Sequence, residues 1–137
     1  MKKNILLASM MAFVMLLASC SKDIDDTRII GKWSNTSKTY IDDHENQYFD
    51  RAGYYTFEFK KNGKGVYTFT YGSLVDEHKF SYSLIGSDLK IACSTQESIN
   101  QTYSVKEISD NHLVFEGECR SESFQPGAIY HWDLKKQ

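Results

Sequence analysis

The densest grouping of residues able to do chemistry is Asp42-Asp43-His44-Glu45, four consecutive side chains that can each bind a metal or move a proton. His78, behind Asp76-Glu77, is the next histidine along the chain. Zinc needs about four such groups converging at about 2 Å, and a single run of neighbours on a loop does not provide that. The spacing also differs from a calcium loop, whose ligands recur at alternate positions. Neither a metal nor a cofactor is expected. Catalysis is not expected either: the chain has no Gly-x-Ser-x-Gly elbow, no Gly-rich phosphate loop and no His-Glu-x-x-His pair.

Sulfur gives three candidates, Cys20, Cys93 and Cys119. Cys93 and Cys119 fall late in two strands with one whole strand between them. Strands lie about 4.8 Å apart, so two steps put them about 9.6 Å from each other, beyond the roughly 7 Å that a disulfide spans. They are expected as buried free thiols, with a bridge left open if the strand ends curl together.

The richest chemical resource is aromatic: nine Tyr, eight Phe and two Trp against one Pro. Rings pack well on pleated surfaces, and here they alternate with polar residues in short runs bounded by turn residues. Tyr55, Phe57 and Phe59 share one face, then Asn62-Gly63 gives a hairpin signal. Tyr67, Phe69 and Tyr71 follow; then, after Asp76-Glu77-His78, come Phe80, Tyr82 and Leu84. Leu89, Ile91 and Cys93, then Tyr103 and Val105, then Leu113 and Phe115, and finally Tyr130, Trp132 and Leu134 complete the series. With the segment from Lys32 to Ile41 in front, eight strands result.

Eight strands joined by short turns predict an all-β, antiparallel up-and-down barrel, closure removing both exposed edges. A two-sheet sandwich is the alternative fold. An eight-stranded interior is filled by side chains or holds one small ligand. Several inward rings are Tyr, whose buried phenols need hydrogen-bond partners. Strand direction places Tyr71 and Tyr103 nearest the open end as candidate ligand-binding residues, with Phe124 at the rim before Pro126-Gly127.

Gly31-Lys32-Trp33, entering the first strand, resembles the G-x-W motif that opens lipocalins. The resemblance covers the whole chain from Gly31 and implies that Trp33 plugs the closed end of the barrel. It also implies that the long segment from Asp42 to Gly53 is a large first loop over the mouth. One feature departs from the family: where lipocalins place an Arg over the Trp, the final strand offers only Lys135 and Lys136.

Ahead of this domain, Lys2-Lys3 precede an uncharged run from Ile5 to Leu17, the pattern of a secretory signal peptide, too short to span a bilayer. Leu17-Ala18-Ser19-Cys20 resembles the lipobox of bacterial lipoproteins, which implies cleavage before Cys20 and lipidation of its sulfur. Ser21-Lys22-Asp23-Ile24-Asp25-Asp26 has the composition of a tether and resembles the acidic export signal of Bacteroidetes lipoproteins. The division is therefore a signal-peptide helix over 1–19, lipidated Cys and flexible tether over 20–30, and barrel over 31–137.

Removing residues 1–19 leaves 118 residues and takes the formal charge from −2 to −4, since Lys2 and Lys3 are lost with no acid. That balance does not suit nucleic acid. Acidic loops gather at the mouth, and Lys60, Lys61, Lys64, Lys135 and Lys136 gather at the anchored end. The expectation is a non-enzymatic lipoprotein of the bacterial outer membrane, on its periplasmic or surface face, whose barrel binds a small apolar or aromatic ligand. The alternative is an interaction subunit with a filled barrel and an envelope protein as partner.

Overall fold

The computed structural model describes residues 23–137; the expected signal-peptide helix, and Cys20, lie outside the described residues. The strands are β1 (Gly31–Asn35), β2 (Tyr40–Asp42), β3 (Gln47–Phe49), β4 (Tyr55–Phe59), β5 (Lys64–Tyr71), β6 (Leu74–Ile85), β7 (Asp88–Ala92), β8 (Gln101–Ile108), β9 (His112–Glu118) and β10 (Ile129–Lys136). All neighbours are antiparallel, in the order β1-β4-β5-β6-β7-β8-β9-β10, and β1 pairs again with β10. The result is a closed eight-stranded up-and-down barrel, as the alternation predicts.

The first strand is broken where one continuous segment from Lys32 to Ile41 is expected. β1 pairs with the end of β10 through Asn35↔Leu134, and β2 pairs with its start through His131↔Tyr40. Between them, Thr39 Oγ1 donates to the Asp133 carbonyl at 2.9 Å and accepts from the Asp133 amide at 3.0 Å. A side chain thus replaces the missing ladder partner, which lets the strand kink without orphaning a buried amide. β3 then folds back on β2, turning part of the expected first loop into a small hairpin at the mouth.

The same kink carries a charged network. Thr36 Oγ1 donates to Asp133 Oδ1 at 2.5 Å, and His112 bridges Asp133 Oδ2 at 3.1 Å and Glu107 Oε1 at 2.9 Å. The two carboxylates, Glu107 first, hold the His112 imidazole above its ordinary range. A raised folded pKa favours the fold fully below the unfolded value of about 6.5 and loses that contribution as pH rises through the folded value. Because the pair is partly screened, the expected loss is about 0.5 kcal/mol. Urea midpoints of the native protein should fall relative to His112→Gln between mildly acidic and alkaline pH; parallel curves would refute the linkage.

Residues 23–30, expected within a flexible tether, are instead part of the closed end. Ile24 forms a parallel bridge with Leu84, flanked by Leu84 N–H to the Asp23 carbonyl at 2.7 Å and Asp25 N–H to the Leu84 carbonyl at 2.8 Å. Asp25 Oδ2 accepts from the Gly86 amide at 2.8 Å, and Asp26 caps the 3₁₀ turn Thr27–Ile29. Ile29 is fully buried. A polar composition hides this because three apolar residues, Ile24, Ile29 and Ile30, fall without a strand or helix period.

Trp33 is fully buried and donates its indole N–H to the Ile29 carbonyl at 2.8 Å. Lys136 Nζ sits 5.2 Å from the Trp33 ring centroid, a cation–π contact. The lysine therefore covers the face that the resemblance assigns to an arginine. Gly31 allows this approach: a Cβ there would stand 2.5 Å from Lys136 Cε.

Above this plug, Phe57, Phe59, Phe80, Tyr82, Leu84, Leu89, Ile91, Leu113, Phe115 and Leu134 fill the lower barrel. Cys93 and Cys119 are buried free thiols just beyond β7 and β9, with β8 between. The parity of β8 shifts at a bulge between Val105 and Glu107, which returns Ile108 to the core side.

Candidate functional site

The upper barrel is not filled. A cavity of about 350 Å³ opens at the end away from the chain start, within the range of small-ligand sites. β4 and β10 build one wall: the Tyr130 ring stacks on Trp132 at 4.1 Å between centroids, and Tyr55 meets Trp132 edge-on at 5.1 Å. β5 continues it, with Tyr55 stacked on Phe69 at 5.3 Å and Tyr67 deeper. β8 and the loops at its mouth end supply Tyr103, Ile99, Ser98 and Gln101 opposite.

Tyr103 lines the cavity but is only 1% exposed, and its hydroxyl donates to the Ile99 carbonyl at 3.0 Å. Its ring lies flat over Gly117, where a Cβ would stand 2.4 Å from Tyr103 Cδ1. Burial raises the Tyr103 phenol above its ordinary value, so it stays neutral. Phe124 lines the rim, its ring edge-on to Tyr48 of β3 at 5.2 Å.

Tyr71 is elsewhere. It is 60% exposed, outside the cavity lining, with its ring edge-on to Tyr54 at 5.8 Å. The reason is the length of the β5–β6 hairpin. Asp76-Glu77-His78, expected in a loop, lies within β6, which pairs as far as Tyr71↔Leu74 around a tight turn at Gly72-Ser73 with Gly72 at φ +60°. The two strands run past the barrel rim, so the last inward-parity ring of β5 projects into solvent.

One polar group of the cavity was not singled out by the sequence. Asp50, between β3 and β4, is half-buried in the lining and accepts a hydrogen bond from the Tyr130 hydroxyl to Oδ2. Burial pushes the Asp50 carboxyl up, and the Tyr130 bond offsets this in part. Tyr130 and Tyr55 are raised too, by burial first and then by their charged and phenolic neighbours. Asp50 and Tyr130 lie 80 positions apart, and only the alternation of Tyr130 with Trp132 hinted that one of them points inward.

Two loops frame the opening. The β2–β3 turn docks on the β9–β10 loop: the Gln125 amide donates to Asp43 Oδ1 at 2.9 Å, and His44 Nε2 lies 3.3 Å from the Pro126 carbonyl. His44 and the acidic run beside it therefore serve loop packing here. On the other side, His78 Nδ1 is 2.8 Å from Thr95 Oγ1, and its Nε2 lies 3.0 Å from Asp76 Oδ2, off the line of a hydrogen bond. Among the described residues no three His, Cys, Asp or Glu side chains converge as metal ligands.

The model of the lipocalin-like domain matches residues 29–115, more than half of the chain. Among solved structures, a lipocalin-like protein from Bacteroides uniformis superposes with a TM-score of 0.57 at 18% identity, covering 80% of this chain and 99% of that one. An uncharacterized protein from Bacteroides eggerthii superposes with a TM-score of 0.55 at 16% identity, covering 79% and 98%. Among curated proteins none matches. At these identities the superpositions speak for the fold.

Proposed function

The chain belongs to the lipocalin-like domain family, and on that premise we propose that it is a lipid-anchored envelope protein whose barrel binds one small ligand without catalysis. The observation that carries the binding half is the aromatic cavity of about 350 Å³ between a filled lower barrel and an open mouth. A barrel kept only as a structural block would gain by filling that space with apolar side chains, since burying apolar surface stabilises a fold.

The anchoring half rests on Leu17-Ala18-Ser19-Cys20 behind the apolar run. The carbonyl of Asp23, three residues after Cys20, already accepts the Leu84 amide at the closed end at 2.7 Å. Whatever their conformation, three residues reach about 10 Å at most. A lipid on Cys20 would hold the closed end against the bilayer and turn the mouth away from it. The reading places the protein at the bacterial outer membrane, on the periplasmic or the outer face.

A second reading has its own observation. Tyr71, Leu74 and Val75 on the projecting β5–β6 hairpin are 60%, 58% and 61% exposed. Three neighbouring apolar side chains at the mouth suit contact with a partner protein, alongside or instead of ligand capture.

Intact-mass analysis of protein extracted from membranes reads both halves. A covalent diacylglyceryl mass that Cys20→Ala removes is expected, and, under native conditions, a further non-covalent adduct of a few hundred daltons. An unmodified Cys20 sinks the anchor; a bare protein mass in every preparation shifts the weight to the partner reading.

A further inference from the structure

The cavity is not a neutral apolar pouch, and its charges are unequally engaged. Its lining holds three carboxylates, Asp50, Asp76 and Glu118, against one guanidinium, Arg120. Arg120 is occupied: it donates to the Asn100 carbonyl at 3.0 Å and its Nε lies 3.6 Å from Glu118. Asp76 sits beside His78. Asp50 differs from both. Among the described residues no Lys, Arg or His pairs with it, and its one side-chain partner is the neutral Tyr130 hydroxyl.

A carboxylate accepts through two oxygens and about four lone pairs, and the Tyr130 bond engages Oδ2 alone. The same lining holds the rings of Tyr55, Phe69, Tyr130 and Trp132, Tyr55 stacked on Phe69 and Tyr130 on Trp132. An aromatic enclosure beside an unpaired carboxylate is attractive to a cation twice over, through the ring quadrupoles and through a charge-assisted hydrogen bond. The same enclosure opposes a carboxylate head by like-charge repulsion at low local dielectric. Burial already disfavours the ionised Asp50, so the fold keeps a group that costs it stability at neutral pH; such groups cluster at binding sites.

We propose that the ligand is an aromatic or aliphatic amine, its apolar body against Tyr55, Phe69 and Trp132 and its ammonium donating to Asp50. This rests on the binding reading above and adds the head group to it. The ring of Tyr130, held by its hydroxyl to Asp50, positions the carboxylate.

The test uses three probes with one body: phenylbutylamine, phenylbutanol and phenylbutyrate, titrated by calorimetry at neutral pH into the full mature chain. The amine is expected to bind at least about tenfold more tightly than the carboxylate, with the alcohol between them. Asp50→Asn should narrow the amine-to-carboxylate ratio to within about threefold, its fold checked by thermal melting. The comparison on the unchanged protein stands even if that variant melts early. A carboxylate that matches or beats the amine overturns the proposal, as does a ratio that survives Asp50→Asn. Binding of the alcohol with no gain for the amine removes the head-group assignment and leaves the binding reading standing. Failure of all three to bind removes both.

Discussion

Ile29→Ala is expected to destabilise the barrel by about 2–5 kcal/mol, although the residue lies ahead of the first strand in a segment with the composition of a linker. Ile29 is fully buried, and its carbonyl accepts the Trp33 indole N–H at 2.8 Å. Shortening the side chain opens a hole beneath Trp33 at the point where β1 enters the barrel. The loss should be read as a lower urea midpoint with an unchanged slope, since the surface exposed on unfolding barely alters. Ile85→Ala is the control: that side chain is 57% exposed and its truncation should stay within about 0.5 kcal/mol. Equal effects at both positions would mean that residues 23–30 do not seal the barrel.

Phe57→Ala is expected to cost about 3–5 kcal/mol, the top of the range for single truncations. Phe57 is fully buried, and its ring centroid lies 5.0 Å from Tyr67, 5.1 Å from Trp132 and 5.5 Å from Phe115. Two of those three rings, Tyr67 and Trp132, also line the cavity. Phe57 is thus the floor between the packed half and the open half. Its removal should both weaken the fold and deepen the cavity, so residual folded protein should take a longer probe than the native barrel does. Destabilisation without any change in probe length would place the floor elsewhere.

How far the sequence reveals this molecule depends on whether neighbours in space are also patterned in sequence. The barrel is legible because Tyr55, Phe57 and Phe59 alternate with Thr56 and Glu58, and the later strands repeat that period up to the break at the β8 bulge. Trp33 at the closed end is legible from Gly31-Lys32-Trp33. The plug is not, because Ile24 and Ile29 are held by one bridge and one 3₁₀ turn, neither of which has a strong period. Tyr71 has the right parity and the wrong height: alternation reports which way a side chain faces, while only the hairpin length says whether the barrel is still around it. Asp50 stands in a stretch of mixed polarity with nothing to separate it from Asp42 or Asp43, and its significance comes from Tyr130 on the far side of the chain.

The expected charge division also changes character on folding. Lys60, Lys61 and Lys64 do sit around the β4–β5 turn at the same end as the chain start. Asp25 and Asp26 join them there, the first bound to the Gly86 amide and the second paired with Arg28 at 2.6 Å. The closed end is therefore mixed in sign, and under the proposed anchoring its orientation toward a membrane would follow from the short reach to Cys20 more than from its lysines.

Whether the upper barrel is an accessible binding space is read most simply by a titration with the neutral dye N-phenylnaphthylamine. Native protein is predicted to give saturable, blue-shifted emission at one site, and Ser98→Trp, which places a large ring into the cavity lining from an exposed position, is predicted to abolish it with little change in melting temperature. Emission that never saturates, or that Ser98→Trp leaves untouched, would make the barrel a filled scaffold.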